Sequence, residues 1–113
     1  MVVRLLALAL LFTTTAGSMQ AADPIVGDWK TKSGETATIA ACGAAYCISV
    51  KTGVFAGKAI GKMQAKDGTY VGEITDPETN KTYSGSGALS GNTLKMKGCV
   101  LGVLCKSQSW TRL

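Results

Sequence analysis

The residues of this chain with the most evident chemistry are four cysteines in two close pairs. Four residues separate Cys42 from Cys47, and five separate Cys99 from Cys105. Thiol redox catalysis usually depends on Cys-x-x-Cys, in which a two-residue gap holds the sulfurs together and lowers one thiol pKa. Zinc-binding cysteine pairs are also closely spaced as a rule. The spacing therefore favours two structural disulfides, and we expect neither a metal site nor a cofactor.

Four cysteines allow three disulfide connectivities. We favour Cys42 with Cys47 and Cys99 with Cys105, because short loops close readily and each pair can bridge two strands across a turn. Loop entropy gives each local bridge roughly 2 kcal/mol, against about 4 kcal/mol for a bridge from Cys42 to Cys99. Stability alone thus favours the long-range alternative, which stays open at this point.

Hydrolytic catalysis has little support in the sequence. The chain contains no histidine, so Ser-His pairing is excluded. Two carboxylates, Asp76 and Glu78, flank Pro77 in a segment typical of a turn, where the aspartate caps the backbone. A carboxylate pair for glycoside cleavage would need a cleft around it. We therefore expect no catalytic residues and a protein that is not an enzyme.

The first 22 residues have the composition of a secretory signal peptide. Arg4 precedes an apolar run over residues 5–12, and small residues lead to Ala21 and Ala22. The run is shorter than the roughly 20 apolar residues of a membrane span. We predict cleavage after Ala21 or Ala22, with Ala16-Gly-Ser18 as a competing site. The remaining domain, residues 23–113, is then an exported, soluble protein with no membrane span, in an oxidising compartment that permits disulfides.

In the remaining domain, residues of two kinds, apolar and polar, alternate with a period of two, which predicts short strands. Turn signals such as Lys66-Asp-Gly68 and Ser90-Gly-Asn92 separate the alternating runs. We therefore expect an all-β fold, a small antiparallel meander of seven or eight strands in one sandwich or barrel. The alternating runs are residues 36–40, 69–75, 81–89, 93–97 and 106–112.

Large residues and glycines alternate on the predicted inward faces. An aromatic ring can fill the space that a glycine on the next strand leaves, so we expect a mostly filled interior rather than a roomy cavity. If a ligand enters, the candidate binding residues are Phe55, Tyr70 and Tyr83. The inward sets are Tyr70, Gly72 and Ile74 on one strand and Tyr83, Gly85, Gly87 and Leu89 on the next.

Two tryptophans lie near the ends of the domain. Trp29 follows Gly27, and Trp110 is two residues before Arg112. We expect Trp29, Trp110 and Arg112 to close the barrel, with the guanidinium over the Trp29 indole. Such a cation–π contact contributes about 0.5 to 2 kcal/mol.

Several motifs, taken in order, resemble a family of exported bacterial proteins of unknown function, domain of unknown function 2147. The resemblance covers essentially the whole chain from Asp23, and residues 51–65 depart from it most. It implies a lipocalin-like β-barrel in the periplasm, with no established reaction. The motifs are Gly27-Asp-Trp29, Cys42 through Cys47, Tyr70-Val-Gly72-Glu-Ile-Thr-Asp76-Pro77, Lys81-Thr-Tyr83-Ser-Gly85, Leu94 with Gly98-Cys99, and Cys105-Lys-Ser-Gln108-Ser-Trp110-Thr-Arg112.

The charge pattern limits the class of partner. The formal net charge is +5, but the lysines are scattered and their longest cluster is Lys95-Met-Lys97. Nucleic-acid binding would need a basic patch with stacking aromatics, so we expect no such partner. We expect a binding module for a small apolar or anionic ligand. The alternative is a structural or interaction module of the cell envelope, with a filled barrel, no ligand and an unidentified protein partner.

Overall fold

The structure is a computed structural model that describes residues 23–113, and the predicted signal peptide lies outside the described residues. Each strand pairs antiparallel with the next, and the last pairs with the first, so the sheet closes into an eight-stranded barrel. The all-β barrel prediction is confirmed. The strands are β1 Gly27–Lys30, β2 Thr36–Cys42, β3 Ala45–Val50, β4 Ala59–Lys66, β5 Thr69–Asp76, β6 Lys81–Ser90, β7 Thr93–Val100 and β8 Leu104–Arg112.

The connections between strands collect at two ends of the barrel. At the end where β1, β3, β5 and β7 finish, the connections are residues 31–35, 51–58, 77–80 and 101–103. We call this the mouth end. The opposite end carries the three short turns after β2, β4 and β6, together with the segment 23–26 that precedes β1. We call this the closed end.

Short turns at the closed end use residues suited to a left-handed backbone. Asp67 (φ 52°) and Gly68 (φ 83°) form the turn between β4 and β5. Positive φ at both central residues suits the right-handed twist of the two flanking strands, which explains why Asp-Gly is a strong hairpin signal. The turns predicted at 66–68 and 90–92 therefore lie where two hairpins reverse.

The core fills the closed half of the barrel. Its fully buried large side chains come from the segment before β1 and from five strands, which places one contiguous apolar cluster inside the sheet. Glycines on β6 make room for it, since Gly87 lies beside the Met96 and Met63 side chains. The largest buried side chains are Trp29, Ile25, Ile39, Ile48, Met63 and Leu94.

The barrel wall is uneven in height. β1 has four residues and pairs with β8 through Lys30 and Trp29 only, whereas β8 has nine residues. Within residues 23–113, the stretch of β8 from Leu104 to Ser109 therefore has no strand beside it on the β1 side. The wall is open there, next to the short connection at residues 31–35.

The two disulfides join Cys42 to Cys47 and Cys99 to Cys105, as the local pairing predicted. Both lie on the outer face of the sheet. Cys99 and Cys105 are directly opposite each other on β7 and β8, with 4.0 Å between their Cα atoms. Because each pair already adjoins across a hairpin, the local bridges need no displacement of backbone. One disulfide is thus at the closed end and the other at the mouth end.

Candidate functional site

The mouth half of the barrel holds an open cavity of about 670 Å³. Inward side chains of β2, β3, β4, β5 and β7 form an apolar wall, together with Trp110 of β8. The prediction of a filled interior is therefore right for the closed half and wrong for the mouth half. The apolar wall consists of Ala37, Val50, Ile60, Ile74, Met96 and Trp110.

β8 supplies the polar side of the cavity. Lys106 and Gln108 pair with Gly98 and Met96 of β7, so they share the inward face of the sheet. Gln108 Oε1 accepts a hydrogen bond from the Trp110 indole Nε1 at 2.6 Å. The indole is almost fully buried, whereas Lys106 and Gln108 are exposed through the open wall. Along β8, the cavity lining thus changes from the apolar Trp110 ring to the polar Gln108 and the cationic Lys106 side chains.

Lysine 106 belongs to a second, smaller hollow on the same rim. About 330 Å³ of space lies above the inward faces of β6 and β8. Lys81 enters it from β6, so two ammonium groups border one apolar depression. The lining is Lys81, Tyr83, Val100, Leu104, Cys105 and Lys106.

The acidic side chains at the mouth make local hydrogen bonds. Glu35 Oε1 accepts a hydrogen bond from the Thr52 hydroxyl at 2.7 Å, and Asp76 Oδ1 accepts one from the Glu78 N–H at 2.9 Å. The Asp76 contact orders its turn, which is the role expected for Asp76, and the Glu35 contact joins the connection 31–35 to the connection 51–58. Among the described residues the one ion pair joins Lys51 Nζ to Asp28 Oδ2 at 2.6 Å. The lysine hydrogen bond, helped by that of Thr38, lowers the pKa of Asp28.

The three predicted ligand-binding residues do not form one site. Phe55, in the connection before β4, and Tyr83, on β6, both line the cavity. Tyr70 is the second residue of β5 and lies at the closed end. β5 and β6 are antiparallel, so their first residues lie at opposite ends of the barrel. Tyr70 and Tyr83 therefore both face inward but are separated along the barrel axis.

Tyr70 instead belongs to a clasp around Asp23. Its hydroxyl donates to Asp23 Oδ1 at 2.5 Å, and the Tyr46 hydroxyl donates to Oδ2 at 3.0 Å. The Ile25 N–H donates to Oδ1 as well, at 2.9 Å. The two rings meet edge to face, 5.8 Å apart. Sequence reasoning missed this cluster, because no motif links Asp23 to tyrosines in β3 and β5.

The clasp shifts the pKa values of its members in opposite directions. Partial burial by itself raises the pKa of Asp23, but the hydrogen bonds from Tyr70, Ile25 and Tyr46 outweigh it and lower that pKa. Burial and the bond to Asp23 raise the pKa of Tyr70. The carboxylate is therefore held ionised and the phenols protonated, which suits a tether rather than a proton-transfer site.

Trp29 and Arg112 lie together at the closed end. The Arg112 Cζ atom is 4.3 Å from the centroid of the Trp29 ring. Trp29 Nε1 donates to the Ile25 carbonyl at 2.9 Å, and Arg112 donates to the carbonyls of Val26, at 3.3 Å, and Pro24. The arrangement fixes residues 23–26 across the barrel end. Trp110 was grouped with this closure, but its side chain lines the cavity instead.

The mouth end combines an apolar cavity with lysines at its rim. In residues 23–113, no group of three side chains is arranged to hold a metal ion, and both cysteine pairs are oxidised. No helix in the described part of the chain has the length and apolarity to cross a membrane. What the mouth can do chemically is enclose an apolar body and place Lys106 near an anionic group.

Comparison with known proteins gives a family and no function. A family model described as an uncharacterized protein conserved in bacteria matches residues 55–112, just over half of the chain. The match includes most of the segment 51–65 that was expected to depart from the family, and it does not extend to Trp29 or to the Cys42–Cys47 pair. No curated protein and no solved structure matches the chain. The chain belongs to this bacterial family, domain of unknown function 2147.

Proposed function

We propose that this protein is a non-catalytic binding module that takes a small amphipathic molecule into the mouth half of its barrel. The apolar body of the ligand lies against the inner wall, and its anionic group lies beside Lys106. The protein acts in the periplasm after removal of residues 1–22. The eight-stranded antiparallel meander and its open end support the lipocalin-like assignment.

The observation that carries the proposal is the open cavity with an apolar wall. Its volume, about 670 Å³, is within the roughly 300 to 1,000 Å³ of small-molecule sites. Such sites combine an apolar lining with a few polar groups that orient the ligand. Trp110, Met96 and Ile60 supply the lining here, and Lys106 and Gln108 supply the polar groups.

Charge favours an anion over a cation at the rim. Glu35 accepts a hydrogen bond from Thr52 of another connection and Asp76 accepts one within its own turn, while the Lys106 ammonium has no ion-pair partner among residues 23–113. An ammonium group beside an apolar wall recognises a carboxylate or phosphate attached to a hydrocarbon body. The periplasmic location is supported by the two disulfides, since such bonds persist in oxidising compartments.

Titration with lauric acid tests the proposal directly, because Trp110 lines the cavity and Trp29 does not. We expect the ligand to change the tryptophan emission of the wild type and to cause no change in Trp110→Phe. Lys106→Gln should weaken binding about tenfold, the effect of losing one charge-assisted hydrogen bond of roughly 1.4 kcal/mol. The matched control is Lys66→Gln at the closed end, which should bind as the wild type does.

Native mass spectrometry of protein purified from its own host identifies the natural ligand. An adduct that disappears in Gln108→Phe, a substitution that fills the cavity, supports the proposal. A protein that carries no adduct and leaves its tryptophan emission unchanged by lauric acid and other amphipaths would instead act through its surface, the interaction role.

A further inference from the structure

An apolar hairpin tip projects from the mouth end. It comprises residues 100–104, between Cys99 and Cys105, and contains no polar side chain. Leu101, Val103 and Leu104 are 90%, 76% and 63% exposed. Three large aliphatic side chains side by side in water form a patch of the kind that marks an interaction site.

The tip is held in its exposed position. The Cys99–Cys105 disulfide joins its two ends across the directly opposed residues of β7 and β8. Leu101 has φ 55°, and the following Gly102 has φ 70°. A positive φ is costly for a bulky residue and persists where the surroundings impose it. The disulfide and the tight turn thus restrict the conformations that the tip can adopt.

The two strands that carry the tip, and β6 beside them, bear charge of one sign. No aspartate or glutamate occurs after Glu78, so β6, β7 and β8 carry only basic charged residues. Lys81 and Lys106 border the hollow under the tip, and Lys95 and Lys97 lie on the outer face of β7. Of the acidic groups at the mouth, Glu35 and Glu78 lie on other connections, and Asp76 ends β5 opposite Lys81.

Exposed aliphatic side chains surrounded by lysines suit an anionic lipid surface. Binding to such a surface combines burial of apolar side chains with attraction of each nearby lysine, worth about 1 kcal/mol per residue. A stable protein interface needs roughly 800 Å² on each partner, and the three projecting side chains supply only part of that. Charge complementarity and the small size of the patch therefore favour lipid.

We propose that the hairpin tip docks the mouth of the barrel on a membrane that contains anionic lipids. The aliphatic side chains enter the headgroup region, and the lysines of β7 and the rim lie against lipid phosphates. This docking does not depend on a ligand in the cavity. If the cavity does bind an amphipath, the docked orientation opens it toward the lipid.

Cosedimentation with vesicles tests the proposal. The wild type should sediment with vesicles of phosphatidylglycerol and phosphatidylethanolamine in equal parts, and remain in solution with phosphatidylcholine alone. The double variant Leu101→Ser, Val103→Ser should reduce the partition coefficient at least tenfold. Its control is Leu113→Ser, an equally apolar residue that is 66% exposed at the closed end, and it should behave as the wild type does.

The lysines have a control of matched charge. Lys95→Gln with Lys97→Gln should weaken sedimentation about tenfold, and high salt should weaken it further. Lys62→Gln with Lys66→Gln, on the outer face of β4, should have less than twofold effect. All four positions are exposed, so the variants should keep the wild-type melting temperature.

Two results would overturn the proposal. One is a wild type that does not sediment with the anionic vesicles, or a Leu113→Ser variant that loses as much sedimentation as the tip double variant does. The other is a wild-type dimer, seen by sedimentation velocity without vesicles, that the tip variant converts to monomer. The tip would then be an interface between copies of this chain. Ligand binding in the cavity is measured by tryptophan emission, so failure of either proposal leaves the other interpretable.

Discussion

Asp23 accepts hydrogen bonds from three donors that come from separate parts of the chain. Tyr46 and Tyr70 reach it from β3 and β5, and the Ile25 N–H reaches it from two residues away. An ionised carboxylate that accepts several hydrogen bonds is stabilised in its charged form. The clasp therefore fixes the segment before β1 against two strands on the far side of the barrel.

Tyr70→Phe should destabilise the fold by roughly 1 kcal/mol at neutral pH, since it removes one hydrogen bond to a partly solvated carboxylate. The hydrogen bonds lower the pKa of Asp23 below its ordinary value of 3.8. Their contribution is thus present above pH 3.8 and lost as the pH falls through the lower folded-state value. Urea unfolding at several pH values measures the difference between the variant and the wild type.

The difference in the free energy of unfolding between Tyr70→Phe and the wild type should decrease below pH 3.8. It should also decrease above pH 10, the ordinary pKa of tyrosine, because ionisation of Tyr70 in the unfolded chain opposes folding there. A difference that is constant over the whole range would show that the hydroxyl acts through packing and not through the charge of Asp23.

Gly72 is required by the approach of two strands. A Cβ atom at this position would lie 1.9 Å from the Lys62 carbonyl oxygen of β4. That contact is with backbone, which cannot move without displacing the strand. Gly72→Ala should therefore lower the free energy of unfolding by more than about 2 kcal/mol, measured by urea.

Gly87→Ala is the matched control for Gly72→Ala. Its Cβ would meet the Met96 sulfur at 3.3 Å and a Met63 methyl group at 3.6 Å, both ends of flexible side chains. We expect a change of less than about 1 kcal/mol, because methionine adapts to such contacts. Equal losses in the two variants would contradict the assigned approach of β4 and β5.

At the scale of elements, the two disulfides clamp different hairpins. Cys42–Cys47 joins β2 to β3 at the closed end, and Cys99–Cys105 joins β7 to β8 at the mouth end. A local bridge restricts the unfolded chain by closing a short loop. Only the second bridge borders the apolar hairpin tip, so the two should differ in what they do for binding.

Replacing either cysteine pair with alanine should lower the free energy of unfolding by roughly 2 kcal/mol. Loss of the Cys99–Cys105 bridge should also weaken cosedimentation with anionic vesicles, because the tip can then change shape. Loss of the Cys42–Cys47 bridge should leave cosedimentation unchanged. If both variants dock as well as the wild type does, the clamp is not part of the docking surface.

At the scale of the whole molecule, unequal strand lengths divide the barrel into a packed half and an open half. β1 ends at Lys30, so no strand in residues 23–113 pairs with β8 on that side beside Lys106 and Gln108. The same gap gives access to the apolar wall from the side. Ligand binding, in the proposed function, uses the half that the core leaves unfilled.

Gln108→Phe should abolish lauric acid binding, because its inward side chain fills the space beside Trp110. Ser109→Phe is the control on the same strand, since Ser109 pairs with Lys95 on the outer face. It should bind the ligand with wild-type affinity. Binding that survives in the first variant, or is lost in both, would place the ligand outside the cavity. Tryptophan emission measures both.

The sequence predicted the part of the fold that depends on local pattern. Alternating residues in β5, β6, β7 and β8 and turn signals such as Asp67-Gly68 indicated an antiparallel meander, because side chains alternate across a sheet and few residues tolerate positive φ. The runs were weaker in β3 and β4, where alanine and glycine interrupt them. The cysteine spacing favoured disulfides. The pairing is local because the two cysteines of each pair lie next to each other across a hairpin.

The candidate site depended on the tertiary structure. The end of the barrel that Phe55, Tyr70 and Tyr83 reach is set by strand length and register, and these arise from pairing between distant segments. The clasp joins Asp23 to Tyr46, 23 positions along the chain, and to Tyr70, 47 positions along the chain. Local periodicity thus determined the strands, their faces and the hairpins. Closure of the sheet decided which half is packed and which is open, because the interior is filled by side chains from strands that are distant in the sequence.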